Sequence, residues 1–372
     1  MTIIRTAIAA IVSAVAILLT LPVVVIGLPF WIVAFLTRFV HARASSISSR
    51  VVPWKEIIEY EPTVGWKPKP NLDVYAYADK VFHLTTDDHG WRGQTTLTDS
   101  DIVVFGDSCA FGYGVSDKSF FGELNSKVRI KAIGAGGYNM VHTLIWMRQL
   151  SAELNGKLVV WFIYFGNDLY DNLQPSYRHY RSPFVRTVNG TGSWEIVTSH
   201  IRPTRWIGSS QRDYYAKLAE ICSPTVLSQR ACSACEFLIA EGSEICNRAG
   251  ARLVVMTIPD VTQISASHMQ KLTKLARDPD RFDPTLPDTR IAEICDKLSV
   301  PVVALKDHLG VEDYKQHDVH WNEKGHKRVA EILSDLHREY TLKQSGMEFR
   351  AAPRPADTAS TRAAAAGEPY AS

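Results

Sequence analysis

From residue 101 onward the chain alternates two kinds of hydrophobic pattern. Short, continuous apolar runs rich in β-branched residues (DIVVF, VRIKAI, LVVWFIYF, ARLVVMTI and VPVVAL) are separated by longer stretches with apolar positions at helical spacing. Residues 138–154 and 227–249 are two such stretches. In the second, Leu227, Ala231, Ala234, Leu238, Ile245 and Ala249 share a stripe, and Gly250 follows as a C-cap signal. A run that is apolar at every position is buried on both faces, so the alternation predicts an α/β domain: a parallel sheet with helices on either side. No internal repeat is evident.

Outside this region the pattern changes. Residues 6–37 contain no charge and no histidine. As a helix they would be about 48 Å long, against a hydrocarbon core of about 30 Å. A secretory signal is the alternative, with ARA before Ser45 resembling a cleavage site, but its apolar core would be shorter and Arg38 would lie inside it. Residues 1–44 are therefore expected to be a retained transmembrane anchor, with the lipid bilayer as partner and a bacterial inner membrane as location. Pro22, Gly27 and Pro29 leave both a kinked single span and a shallow hairpin open. Arg38, Arg43 and Arg50 after the segment, against Arg5 before it, lean toward a cytoplasmic main domain without settling the side.

Residues 45–100, rich in Pro, Gly and aromatics (YEPTVGWKPKPN, DDHGWRG), are expected to be a linker with short strands laid against the main domain at 101–340. Residues 169–224 are too long for an ordinary βα loop and predict an inserted cap. That insert carries Tyr177, Tyr180, Phe184, Trp194 and Trp206 among Arg178, Arg181, Arg186, Arg202 and Arg205. It is read either as a substrate-selecting cover or as a solvated loop with its own small cluster. Residues 341–372 have the composition of a disordered tail.

Composition narrows the function. A net charge of +2 on 372 residues, with no basic tract, excludes nucleic acid as a partner. Cys232 and Cys235 form a C-x-x-C, but Cys235 and Cys246 fall on or beside the helical stripe just described, and no second cysteine or histidine pair completes a zinc set. They are expected to pack a helix, and no metal site is predicted.

The chemistry collects at strand ends, where open parallel sheets bind ligands. After DIVVF come Gly106, Asp107 and Ser108. After VRIKAI comes the turn Gly134-Ala135-Gly136-Gly137. After LVVWFIYF come Gly166, Asn167 and Asp168, and after VPVVAL, beyond a short loop, Asp318-Val319-His320-Trp321-Asn322. A serine, a glycine turn, an asparagine and an Asp/His pair on one rim are the groups that acyl transfer requires. A phosphate cradle fits less well: the glycines at 106, 112 and 114 lack dinucleotide-fingerprint spacing, and no P-loop lysine follows. The G-x-S-x-G elbow is absent too. Alone, G-D-S is equally a strand-ending turn.

Together, GDSCAFGYG, AIGAGGYN, FGNDLYDN and DVHWNEKGH resemble, in order, the four blocks of the SGNH or GDSL hydrolases across residues 101–340. The resemblance implies a flavodoxin-like α/β/α sandwich and esterase or acyltransferase chemistry. Two departures stand out. The last block is D-x-H-W rather than D-x-x-H-P, a form also found in relatives that handle acylated polysaccharides. Ala132 stands where an asparagine often opens the second block, removing a hydrogen-bonding group from the region of the oxyanion turn.

On this reading Ser108 is the nucleophile, His320 its base and Asp318 the group that orients His320. The pair must sit on a bent loop, since i, i+2 side chains diverge on a helix. The backbone N–H groups of Ser108 and Gly137 and the amide of Asn167 would form the oxyanion hole. No cofactor is called for. Asn322 is expected to cap the closing helix. Asp107, Asp168 and Asp171 are expected to make loop hydrogen bonds, with His317 and His326 as bystanders. The substrate is a small-molecule or glycan ester. Hydrolysis, acyl transfer to a glycan hydroxyl and non-catalytic glycan binding remain the three classes, of which only the last would expect a broken block.

Overall fold

The computed structural model describes residues 51–124, 127–188, 192–207 and 211–344. The five apolar runs form the strands Ile102–Gly106 (β1), Ile130–Gly134 (β2), Leu158–Tyr164 (β3), Arg252–Ile258 (β4) and Val302–Ala304 (β5). They lie in the order β2-β1-β3-β4-β5, and every pairing is parallel. Side chains alternate across a strand. Val103, Phe105, Val159, Trp161 and Ile163 therefore face one layer, and Ile102, Val104, Val160, Phe162 and Tyr164 the other.

Helices Met140–Gln149 (α1), Val226–Arg248 (α2) and Leu286–Lys297 (α3) cover the first face, and Glu323–Gln344 (α4) covers the second. Trp161, fully buried, sets the closeness of the first layer. Its indole donates to Thr143 Oγ1 at 2.8 Å, and a Cβ at Gly242 of α2 would lie 2.5 Å from its ring. Truncating a buried tryptophan of this kind costs about 3–5 kcal/mol.

The strand order reverses between β1 and β3, which creates a crevice at their carboxyl ends. That crevice follows directly from the order of the runs. Ser108 leaves β1 and Asn167 leaves β3.

The expected helix at 138–154 is α1 followed by a 3-10 turn at Ser151–Glu153, and the stripe at 227–249 is α2, with Gly250 in the left-handed region at φ +71° just beyond it. Cys235 and Cys246 are buried on α2, and all six cysteines are free thiols. The C-x-x-C is a packing feature.

The described part of the 45–100 segment is firmly docked. Val51–Val52, Asp73–Tyr77 and Val81–Thr85 form a small sheet, and Ile58–Glu61 pairs with Gly65–Pro68 as a hairpin. The buried Arg92 guanidinium donates to the carbonyl oxygens of Phe111, Gly112 and Val115 and pairs with Asp117 at 2.8 Å. The buried Lys131 ammonium of β2 pairs with Asp87, also at 2.8 Å. A charge this deep is tolerable only when fully partnered, so these residues are an integral layer of the domain.

The insert has its own architecture. Ser176–Arg181 pairs antiparallel with Arg202–Ile207, Phe184–Thr187 with Trp194–Val197, and the helix Gln211–Ile221 follows. Among the described residues no helix is long and apolar enough to cross a membrane. The expected anchor at 1–44 and most of the expected tail, from 345 on, lie outside the described residues; 341–344 belong to α4.

Candidate active site

Gly106 closes β1 where no side chain would fit, since a Cβ there would lie 2.9 Å from both Ala110 and Phe162. The chain then turns into the short helix Ser108–Phe111. Asp107 caps it by accepting from the Cys109 N–H at 2.8 Å. Ser108 is thus the first helical residue, and its N–H has no acceptor within the helix.

The Asp318–His320 loop is pinned at both ends. Tyr314 and Trp321 form an isolated antiparallel bridge, and the Lys315 N–H donates to the His320 carbonyl at 2.9 Å. Trp321 is buried against Phe162 and His326. This gives the H-W departure a physical sense: the residue after His320 is an anchor in the second core layer. Asn322 then caps α4, its Oδ1 accepting from the N–H groups of Lys324 and Gly325 at 2.8 and 3.2 Å.

So held, His320 Nε2 lies 2.8 Å from Ser108 Oγ, and His320 Nδ1 lies 2.5 Å from Asp318 Oδ1. A carboxylate only accepts, so Nδ1 carries the proton and Nε2 is left to accept from the serine. Burial draws the Asp318 carboxyl upward, but the hydrogen bond and charge of His320, aided by Lys315, outweigh it and hold its pKa below the usual range. The Tyr113 ring lies 4.8 Å from the His320 ring.

Beneath the nucleophile sit two buried carboxyls. Asp107 Oδ2 lies 3.3 Å from Ser108 Oγ, and burial raises its pKa. Burial, and then the charge of Asp107, push Asp168 well above its ordinary value, while its Oδ2 accepts from the Tyr164 N–H at 2.7 Å. Both make the loop hydrogen bonds expected of them.

Gly137 and Asn167 line the same cavity as Ser108 and His320, of about 450 Å³. Gly137 has φ +79°, and a Cβ on it would lie 2.1 Å from the Tyr177 ring, so only glycine fits. The Asn167 Nδ2 donates to the Tyr138 carbonyl at 3.1 Å. That acceptor fixes which end of the amide is nitrogen and leaves its second N–H for a ligand. All five site residues read from the sequence therefore meet at one rim.

Other expectations fare differently. His317 borders a neighbouring groove, and burial holds His326 well below the ordinary histidine pKa; neither joins the triad. Ala132 lies in mid-β2 with its side chain in the second core layer, so a group there would not reach the oxyanion turn. Of the insert's six arginines only Arg178 lines the Ser108 cavity. Arg186 pairs with Glu195 at 2.5 Å, and Trp194 packs on the first core layer and donates to Ser233 of α2.

Three contributions were missed. Lys315 and Asp79 support Asp318, Lys217 enters the cavity from the insert helix, and Tyr164 and Tyr214 both donate to Asp260 at 2.5 Å. These side chains come from distant segments and have no local motif.

The chain resembles the SGNH hydrolases. Its four sequence blocks are the four loops that surround this cavity. Similar solved structures include TesA (14% identity over 65% of this chain and 98% of that one, TM-score 0.34). A GDSL-like lipase from Bacteroides thetaiotaomicron shows 12% identity, 67% and 92% coverage and a TM-score of 0.35. An extracellular lipase from Streptomyces rimosus shows 14% identity, 63% and 99% coverage and a TM-score of 0.38. No family model and no curated protein matches. Likenesses this loose carry no argument about chemistry, which rests on the distances above.

Proposed function

We propose that this protein is an SGNH-type serine esterase that hydrolyses O-acyl esters, with a carbohydrate as the alcohol. The observation that carries the reading is the continuous relay from Ser108 Oγ through His320 to Asp318, at 2.8 and 2.5 Å. Ser108 Oγ attacks the ester carbonyl as His320 Nε2 takes its proton. The imidazolium so formed is stabilised by Asp318. The developing oxyanion meets the N–H groups of Ser108 and Gly137 and the free N–H of Asn167, already in place. Collapse breaks the ester bond, and His320 returns the proton to the leaving alcohol. Water, deprotonated by His320, then releases the acid from acyl-Ser108.

A second reading has its own support. Asp318 and Val319 also border an open groove of about 1110 Å³, room for a glycan hydroxyl that could replace water in the last step. The apolar stretch at 6–37 supports placing the site beside a bilayer. Incubation with O-acetylated glycans tests the reading: wild type releases acetate or moves it to an added glycan acceptor, and Ser108→Ala does neither. Undiminished turnover by Ser108→Ala would refute it.

A further inference from the structure

Two cations of the insert line the Ser108 cavity, Arg178 from the strand Ser176–Arg181 and Lys217 from the helix Gln211–Ile221. In a regular strand neighbouring side chains point to opposite faces, yet both Tyr177 and Arg178 line the cavity. The backbone explains this. Arg178 has φ +48°, the left-handed region that a non-glycine residue adopts at a conformational cost. The strand opposite it has a register shift between Pro203 and Ile207, and bulges of this kind re-aim side chains beside active sites.

Lys217 is half-buried, with its ammonium 4.2 Å from the centre of the Tyr170 ring. Asp171 is the cavity's own carboxylate, and Asp168 lies buried behind the strand end. Two cations of the insert thus line a cavity whose own carboxylate is Asp171, and Arg178 also borders Asp318 beside His320. Tyr164, Tyr170, Tyr177 and Tyr214 complete the walls, and the hydroxyls of Tyr164 and Tyr214 are tied to Asp260. Flat aromatic walls suit a sugar ring, and a guanidinium fork suits a carboxylate or phosphate.

We propose that this cavity takes an O-acylated sugar bearing an anionic group, carboxylate or phosphate, held by Arg178 and Lys217 while its ester lies at Ser108. The assignment rests on the esterase reading above and adds the charge of the substrate to it.

The full chain is assayed for acetate release on matched pairs: an O-acetyl glucuronoside against its methyl ester, and O-acetyl glucose 6-phosphate against O-acetyl glucose. The charged member of at least one pair should have a kcat/KM at least about tenfold higher, the step expected of one hydrogen bond to a charged group. The pair showing the larger ratio identifies the anion. Arg178→Ala and Lys217→Ala should each bring that ratio down about tenfold, and Lys217→Glu should favour the neutral member. Arg186→Ala, outside the cavity, should leave the ratio as it was. Equal turnover within both pairs, or ratios unmoved by Lys217→Glu, would overturn the assignment while leaving the esterase reading intact. If no ester is turned over, the esterase reading falls. Calorimetric binding of glucuronate and glucose 6-phosphate then decides the anion site: tighter binding by wild type than by Lys217→Glu supports it, and equal binding overturns it.

Discussion

The ammonium of Lys315 lies 3.0 Å from the carboxylate of Asp79, joining the loop that carries Asp318 and His320 to the small N-terminal sheet. The lysine side chain is 2% exposed, the aspartate 39%. Lys315 also contributes to holding the Asp318 carboxyl low.

Lys315→Met should therefore act on both stability and pH dependence. Asp79 stays exposed without its partner, so the lost ion pair should cost about 0–1 kcal/mol, read as a shift in urea midpoint. Removing a cation lets the Asp318 carboxyl rise, which moves the acidic limb of the kcat/KM profile to higher pH. A profile superimposable on wild type would mean that Lys315 is not felt at the triad.

Asn167→Ala removes the side-chain donor facing the cavity. On ester substrates kcat should fall about 10²–10³-fold with little change in KM, the signature of a contact made in the transition state. Gly137→Ala should lose more and also unsettle the insert, because its Cβ would collide with Tyr177. A rise in KM alone for Asn167→Ala would move that residue from oxyanion stabilisation to substrate binding.

Ser108 was legible because it follows a strand end directly, whereas Asp318 and His320 lie beyond two 3-10 turns after β5 and were legible through the resemblance of their block. The sheet was legible because its strands are apolar at every position. Lys315 and Asp79, 236 residues apart, could not be paired by any local pattern. Nor could Arg92, whose burial depends on three carbonyls in the loop after Ser108. The insert was recognised by its length, but the facing of its side chains depends on pairing register. That is why Arg178 reaches the cavity while Arg186 is paired with Glu195.

Acid should destabilise the fold through His142. It is buried, and burial lowers its pKa to about 3. Unfolded, it titrates near about 6.5. Between these values the unfolded chain binds a proton that the folded protein does not, so stability rises with pH by about 1.4 kcal/mol per unit from this group. The contribution is complete above about 6.5 and is lost as pH falls toward 3. His142→Gln retains an acceptor at the helix start, where Asn139 N–H donates to His142 Nδ1 at 3.1 Å. Urea unfolding at pH 7, 6 and 5 should show a flatter dependence for this variant. Parallel curves would show that His142 protonates in the folded state.

Asp171 opposes this trend. Burial raises its pKa to about 6 despite the pull of Lys217. Its folded form holds a proton that the unfolded chain has released, so this contribution is present below about 3.9 and is lost as pH rises through about 6. Asp171→Asn should therefore steepen the loss of stability on acidification between pH 6 and 4, measured by the same unfolding series. An unchanged slope would show that Asp171 titrates as an ordinary carboxyl.

The account stands or falls on the nucleophilicity of Ser108. Wild type is treated with a fluorophosphonate, and the site of covalent modification is mapped by peptide mass spectrometry. One adduct is predicted, on Ser108, with no labelling of Ser108→Ala and labelling slowed by orders of magnitude in His320→Ala. A folded wild-type protein that stays unlabelled, or an adduct that survives in Ser108→Ala, would contradict the central claim.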